Sequence, residues 1–169
     1  MNSKNIFIVG AMGSGKSTIG KLLAKKLKKK FLDTDHEVEV YTKYDISTIF
    51  EKFGEGLFRD KETEILNNLK DKENLVISTG GGIILKDENI NLMKEIGTIV
   101  FLDINLETQI KRVKYRKHRP LLHNSNLQIE LKKLKNNRDP IYNKISDYII
   151  EVSRKDKNTI VDEIQKILL

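Results

Sequence analysis

Five short apolar runs, NIFIVG, FLDTD, NLVIST, TIVFLDI and DYIIEV, punctuate the chain. Each is five to seven residues, most of them rich in Ile, Val, Phe or Tyr, and bounded by polar or turn-forming residues, which predicts a strand. The stretches between them mostly carry apolar positions three and four apart, as in IGKLLAKKL and IVDEIQKILL, the period of an amphipathic helix. Strands alternating with helices predict an α/β fold, a central five-stranded parallel sheet covered by helices on both faces. No repeat, low-complexity tract or linker interrupts the pattern, so residues 1–169 read as a single domain. One segment departs from it. KYRKHRPLLHNSN, Lys114 to Asn126, is dense in charge and lacks a period, as expected of a long functional loop.

Between the first run and the first helical stretch stands GAMGSGKST. It satisfies G-x-x-x-x-G-K-[ST] in the strand-to-helix context that gives the motif its mechanism. Backbone N–H groups of Gly10, Ala11, Met12, Gly13, Ser14, Gly15, Lys16, Ser17 and Thr18 are expected to surround the phosphates of a nucleoside triphosphate. Lys16 reaches the terminal phosphates and Ser17 ligates Mg²⁺. The third run, NLVIS, ends on Ser78 rather than on the aspartate many P-loop proteins place there. Asp33, at the end of the second run, is the alternative acidic group near Mg²⁺, acting through water.

Asp35 follows two residues later. Ligands of open α/β sheets bind beyond the carboxyl ends of the strands, which points Asp35 toward the phosphate site. The competing role for either aspartate is to N-cap a helix starting near His36. Further on, GLFRDKETE sets Arg59 and Glu62 three apart on one helical face, TGGG offers close backbone approach at Gly80, Gly81 and Gly82, and RDPIY contributes Arg138. Two arginines, an aspartate and bare backbone suit a small ligand with a carboxylate and several hydroxyls.

Charge and composition then limit the alternatives. The formal net charge is +7, but only six of the 31 basic residues are arginine and the lysines scatter over helix faces, the pattern of solvated surfaces rather than of a nucleic-acid footprint. Without cysteine there is neither disulfide nor thiolate metal site, and His36, His118 and His123 lack ligand spacing. No apolar run approaches membrane-spanning length, and the chain reads as cytosolic.

GAMGSGKST, DTD before a helix, LFRDKE, GGG, RPLL in the basic loop and RDPIY occur in the order and spacing of the shikimate kinases, which the chain resembles over nearly its whole length. The resemblance implies the three-layer P-loop kinase fold with a substrate-binding region at 34–62 and a mobile lid at 114–126. It implies transfer of a phosphoryl group from ATP to the 3-hydroxyl of shikimate, with Mg²⁺ as cofactor, a step of chorismate and aromatic amino-acid biosynthesis, in a monomer. It makes Asp35, Arg59, Gly81 and Arg138 shikimate ligands, with Gly80 and Gly82 supporting the loop and Glu62 beside Arg59. Phe50, Phe58, Pro120 and Leu121 would line the ring pocket. Asp33 and Ser78 would sit behind the water shell of Mg²⁺. Arg119 in the lid would reach the transferring phosphoryl group, Arg112 would stack on adenine, and Arg154 falls in a looser adenine-binding segment. Arg116 is a further lid cation without an assigned role. Lys16, Asp35 and Arg119 are then the catalytic candidates.

Two other classes compete. A gluconate or nucleoside monophosphate kinase shares the P-loop and lid. A nucleotide-switched nucleic-acid binder would use the basic surface, but aromatic residues are only 7% and Trp is absent, which disfavours base stacking.

Overall fold

In the computed structural model, which describes residues 4–114 and 126–169, all five apolar runs are strands. They are β1 (Asn5–Val9), β2 (Lys30–Asp33), β3 (Leu75–Ser78), β4 (Gly97–Asp103) and β5 (Tyr148–Glu151). Among the described residues, seven α-helices connect or flank them: α1 (Lys16–Leu27), α2 (Thr34–Thr42), α3 (Ile46–Asn67), α4 (Asp87–Ile96), α5 (Leu106–Lys114), α6 (Leu127–Ile145) and α7 (Lys157–Leu168). The strands form one parallel sheet in the order β2-β3-β1-β4-β5. Every residue of β1 and β3 is buried, while β2 and β5 are partly exposed edges. Continuous apolar runs therefore mark central strands, as burial on both faces demands.

Side chains alternate across this sheet and so divide the core in two. Ile6, Ile8, Val100 and Leu102 pack with Leu23 of α1 and Ile160 and Ile164 of α7. Phe7, Val9, Ile99 and Phe101 face the other way, against Leu66 of α3, Met93 of α4 and Tyr142 of α6. Burial of this kind stabilises by roughly 25 cal/mol per Å² of apolar surface removed from water. Two satellite cores lie beside the sheet's ends. Val38, Ile49, Phe58 and Ile65 join α2 to α3, and Met12, Val113 and Leu131 join the P-loop to α5 and α6.

β1 lies between β3 and β4: the chain goes from β1 to β2 and β3 on one side, then crosses past β1 to β4 and β5 on the other, so the crevice at the carboxyl end of β1 is the topological switch point. Backbone geometry there is set by Gly15, the N-cap of α1, at φ +96°, a conformation that carries no penalty for glycine. It offers no side-chain cap, which leaves the first N–H groups of α1 open to an anion. A second glycine shapes the neighbouring region: Gly54, at φ 83° and ψ 166°, breaks α3 into two helical segments. Of the lid expected at 114–126, residues 115–125, with Arg116, Arg119, Pro120 and Leu121, lie outside the described residues.

Candidate active site

Two adjoining cavities open at the switch point. The smaller, about 100 Å³, is walled by Gly13, Gly15, Lys16, Ser17, Thr18 and Asp33, with Asp35, Thr79 and Gly81 closing it. Lys16 is buried and its Nζ donates to the Ala11 carbonyl at 3.1 Å, folding the side chain back over the P-loop. Arg112 fastens the loop from outside, donating to the carbonyls of Gly13 and Val152 at 3.2 Å each. Gln109, also buried, donates to the Met12 carbonyl at 3.1 Å. Met12 itself turns its side chain into the core beside the larger cavity. Arg154 is exposed on the segment after β5, with Glu107 of α5 within electrostatic reach.

Asp33 does two things at once. Its Oδ2 accepts from Ser17 Oγ at 2.6 Å, and its Oδ1 accepts from the backbone N–H groups of Asp35 and His36 at 3.1 and 3.4 Å. The same carboxylate therefore N-caps α2, which starts at Thr34, and faces the P-loop serine. Ser78 Oγ stands 3.3 Å from Ser17 Oγ. The oxygen that caps α2 and the oxygen that meets the P-loop serine are thus different atoms of one carboxylate.

The larger cavity is about 610 Å³ and is walled by Asp35, Arg59, Arg138, Phe50, Phe58 and the three glycines, among others. The rings of Phe50 and Phe58 lie 5.1 Å apart at 48°, giving one apolar wall. Arg59 gives a polar one. Its Nη1 donates to Glu62 Oε2 at 2.6 Å, while Nε and Nη2 donate to Glu55 Oε1 at 3.1 and 2.9 Å. Burial alone would lower the Arg59 guanidinium, but the Glu62 and Glu55 carboxylates more than offset it and hold it firmly charged. Glu62 is fully buried, behind Arg59 rather than on the cavity wall. Burial pushes its carboxyl up, Arg59 pulls it back, and Asp35 pushes it up again, to about 7.

The glycines are spaces as much as turns. A Cβ at Gly82 would stand 2.4 to 2.5 Å from Nη2, Cζ and Nη1 of Arg59, so the guanidinium lies directly on that backbone. At Gly80 it would stand 2.5 Å from Asp35 Oδ1 and 2.6 Å from Glu62 Oε1. Both carboxylates crowd the point where a side chain would begin. The strip is anchored by Gly80 N–H donating to Thr34 Oγ1 at 3.1 Å and by the Thr79 hydroxyl donating to the Ile8 carbonyl at 3.2 Å. Asp35, Arg59, Gly81 and Arg138 thus converge on one cavity, as their residue types suggest, while Pro120, Leu121 and Arg119 lie outside the described residues. Sequence reasoning does not find the Tyr142 hydroxyl, which donates to the Gly81 carbonyl, because a tyrosine in a helix gives no local sign of a partner 61 residues away.

The chain is similar to known proteins over nearly its whole length. The family model described as shikimate kinase matches residues 12–169. A shikimate kinase of Burkholderia lata is 40% identical over 158 residues, 94% of this chain and 86% of that one. A shikimate kinase from Acinetobacter baumannii, solved in complex with shikimate, superposes with a TM-score of 0.94 at 40% identity, covering 99% of this chain and 93% of that chain. Another, from Bacteroides thetaiotaomicron, gives a TM-score of 0.90 at 31% identity, covering 98% of both chains. With the P-loop, the paired arginines and the glycine strip in one continuous crevice, the chain belongs to the shikimate kinase family.

Proposed function

We propose a division of labour between the two cavities in the shikimate kinase reaction, the transfer of a phosphoryl group from ATP to a shikimate hydroxyl: the P-loop cavity holds the ATP phosphates and the larger one holds shikimate. The observation that carries this reading is that Asp35 and Gly81 line both cavities. A group bound by Asp35 in the larger cavity therefore adjoins the end of the phosphate chain in the smaller.

Shikimate pairs a carboxylate with three ring hydroxyls. Arg59 and Arg138 suit the carboxylate because planar guanidinium forks bind such groups with two parallel hydrogen bonds. Phe50 and Phe58 suit the ring carbons. Asp35 accepts a hydrogen bond from the 3-hydroxyl, orients it, and takes its proton as the oxygen attacks. Lys16 and the first N–H groups of α1 stabilise charge on the transferring phosphoryl oxygens. Placing nucleophile and phosphoryl group within about 3–3.5 Å does much of the rest.

The donors around Ser17 fit Mg²⁺. They are all oxygens, as a hard cation prefers, and among the described residues no three His, Cys, Asp or Glu side chains cluster tightly enough to encage a metal. That suits an ion held chiefly by phosphate and water. Ser17 would ligate it directly, with Asp33 and Ser78 holding its waters. When bound with ATP, Mg²⁺ neutralises charge on the phosphate oxygens. Arg119 and the rest of 114–126 act in this reading as a cationic lid that excludes water. Among the described residues no helix is long and apolar enough to cross a membrane, and a monomer working in the cytoplasm fits the reading.

The deciding experiment couples ADP release to a spectroscopic signal, with Mg²⁺, ATP and shikimate, gluconate or nucleoside monophosphates as acceptor. Release above the no-acceptor rate with shikimate alone supports the assignment of the larger cavity. Release with gluconate or a nucleotide in its place assigns that cavity to another acceptor.

A further inference from the structure

Tyr142 belongs to neither cavity wall, yet its place in the fold ties the two together. It is the bulkiest of the fully buried side chains among the described residues, and its ring stacks on Phe101 of β4 with centroids 4.9 Å apart at 21°. Burial pushes the phenol well above its ordinary pKa, so the hydroxyl stays protonated and serves as a donor. Its acceptor is the Gly81 carbonyl. Gly81 is central: a Cβ there would stand 3.4 Å from Arg138 Nη1 and 3.6 Å from both the Gly10 carbonyl and the Tyr142 hydroxyl. Arg138 lies one turn earlier on α6, so one helix places a cation over Gly81 and a donor onto it.

We propose that Tyr142 is a positioning residue for phosphoryl transfer, whose hydroxyl fixes the Gly81 peptide and thereby sets the height of the acceptor cavity, with Arg138, against the P-loop. A glycine peptide has the widest choice of orientations of any residue. Gly81 also lacks a side chain that would wedge it between Arg138 and the P-loop. The buried hydroxyl removes that freedom. Without it the carbonyl loses its donor, the peptide rotates, and the acceptor hydroxyl no longer sits in line with the phosphoryl group. Displacement on the order of 1 Å costs transfer about 100-fold in the extreme case.

The inference rests on the assignment of the two cavities to shikimate and ATP, and its test separates the two. Tyr142→Phe keeps the ring, its volume and its stack on Phe101, and removes only the hydroxyl. Transfer to shikimate is expected to fall about tenfold or more in kcat, with KM for ATP within about twofold, and ATP hydrolysis per transfer is expected to rise. Phe101→Leu, which breaks the stack and keeps the hydroxyl, is expected to lower the melting temperature while kcat holds. Equal losses of kcat in both variants, or unchanged kcat in Tyr142→Phe with only a lower melting temperature, would make Tyr142 a packing residue and overturn the proposal. A wild-type protein inactive on shikimate would instead remove the cavity assignment, and the proposal with it.

Discussion

Arg59 Nη1 donates to Glu62 Oε2 at 2.6 Å, and Glu62 is fully buried behind it. Removing the charge on either partner therefore leaves the other in a poor environment. Burial, opposed by Arg59 and reinforced by Asp35, raises the Glu62 carboxyl from 4.5 to about 7.

That shift gives two opposite pH dependences. Between pH 4.5 and about 7 the folded protein binds more protons at Glu62 than the unfolded chain does, so this group's contribution to stability falls as pH rises through the window. On the proposed assignment of the larger cavity, its effect on substrate binding should run the other way. As pH drops through about 7, Glu62 should neutralise and loosen its hold on Arg59, and KM for shikimate should rise. Glu62→Gln should flatten both profiles and keep KM high throughout. A wild-type KM constant from pH 5.5 to 8.5 would uncouple Glu62 from Arg59.

Gly82→Ala tests the seat of the guanidinium. The new methyl would begin 2.4 to 2.5 Å from three guanidinium atoms, so Arg59 has to leave its place while the variant backbone, at φ −97°, accepts alanine without strain. KM for shikimate should rise roughly tenfold or more, as the loss of one charged hydrogen-bonding contact implies. Affinity for ATP, measured calorimetrically, should stay within a factor of two. An unchanged KM for shikimate would take Arg59 out of the acceptor site.

The strands, the P-loop and the convergence of Asp35, Arg59 and Arg138 are legible in the sequence because each leaves a local signature. A continuous apolar run marks a doubly buried strand, and G-x-x-x-x-G-K-S between a strand and a helix has a single mechanical reading. Other features are not legible for the converse reason. Gly54 looks like any glycine until its φ of 83° breaks α3. The burial of Glu62 depends on where α3 meets the glycine strip, and the Tyr142 hydroxyl meets Gly81 only once α6 has docked on β4. Asp33 combines two contacts that the sequence does not place together: one oxygen caps α2 and the other accepts from the P-loop serine.

The cap and the proposed part of Asp33 in holding Mg²⁺ can be separated by substitution. Asn is as good an N-cap as Asp, so Asp33→Asn should keep the melting temperature nearly unchanged while raising the Mg²⁺ concentration needed for half-maximal activity. Asp33→Ala should raise it too and also destabilise by about 1 kcal/mol through loss of the cap. Chemical denaturation reads the first effect and Mg²⁺ titration of the rate the second. If Asp33→Asn needs no more Mg²⁺ than wild type, the bond from Ser17 serves the cap region and has no part in holding the ion.

Asp35 carries the remaining prediction, and it turns on what a carboxylate does that an amide does not. Asp35 occupies the first turn of α2, anchored by the backbone bond from its N–H to Asp33, and it faces both cavities. Asn keeps the size and one acceptor oxygen but cannot take a proton at neutral pH. Asp35→Asn should therefore lower kcat by about 100-fold or more, the usual scale of general-base catalysis, while ATP binding by calorimetry remains intact. Shikimate affinity should fall only modestly, because in the proposed arrangement Arg59 and Arg138 still hold its carboxylate. The ratio of the two losses is informative: a large loss of kcat with a small loss of affinity makes Asp35 the base. Equal losses in both make it an orienting group alone, and full activity removes it from the mechanism.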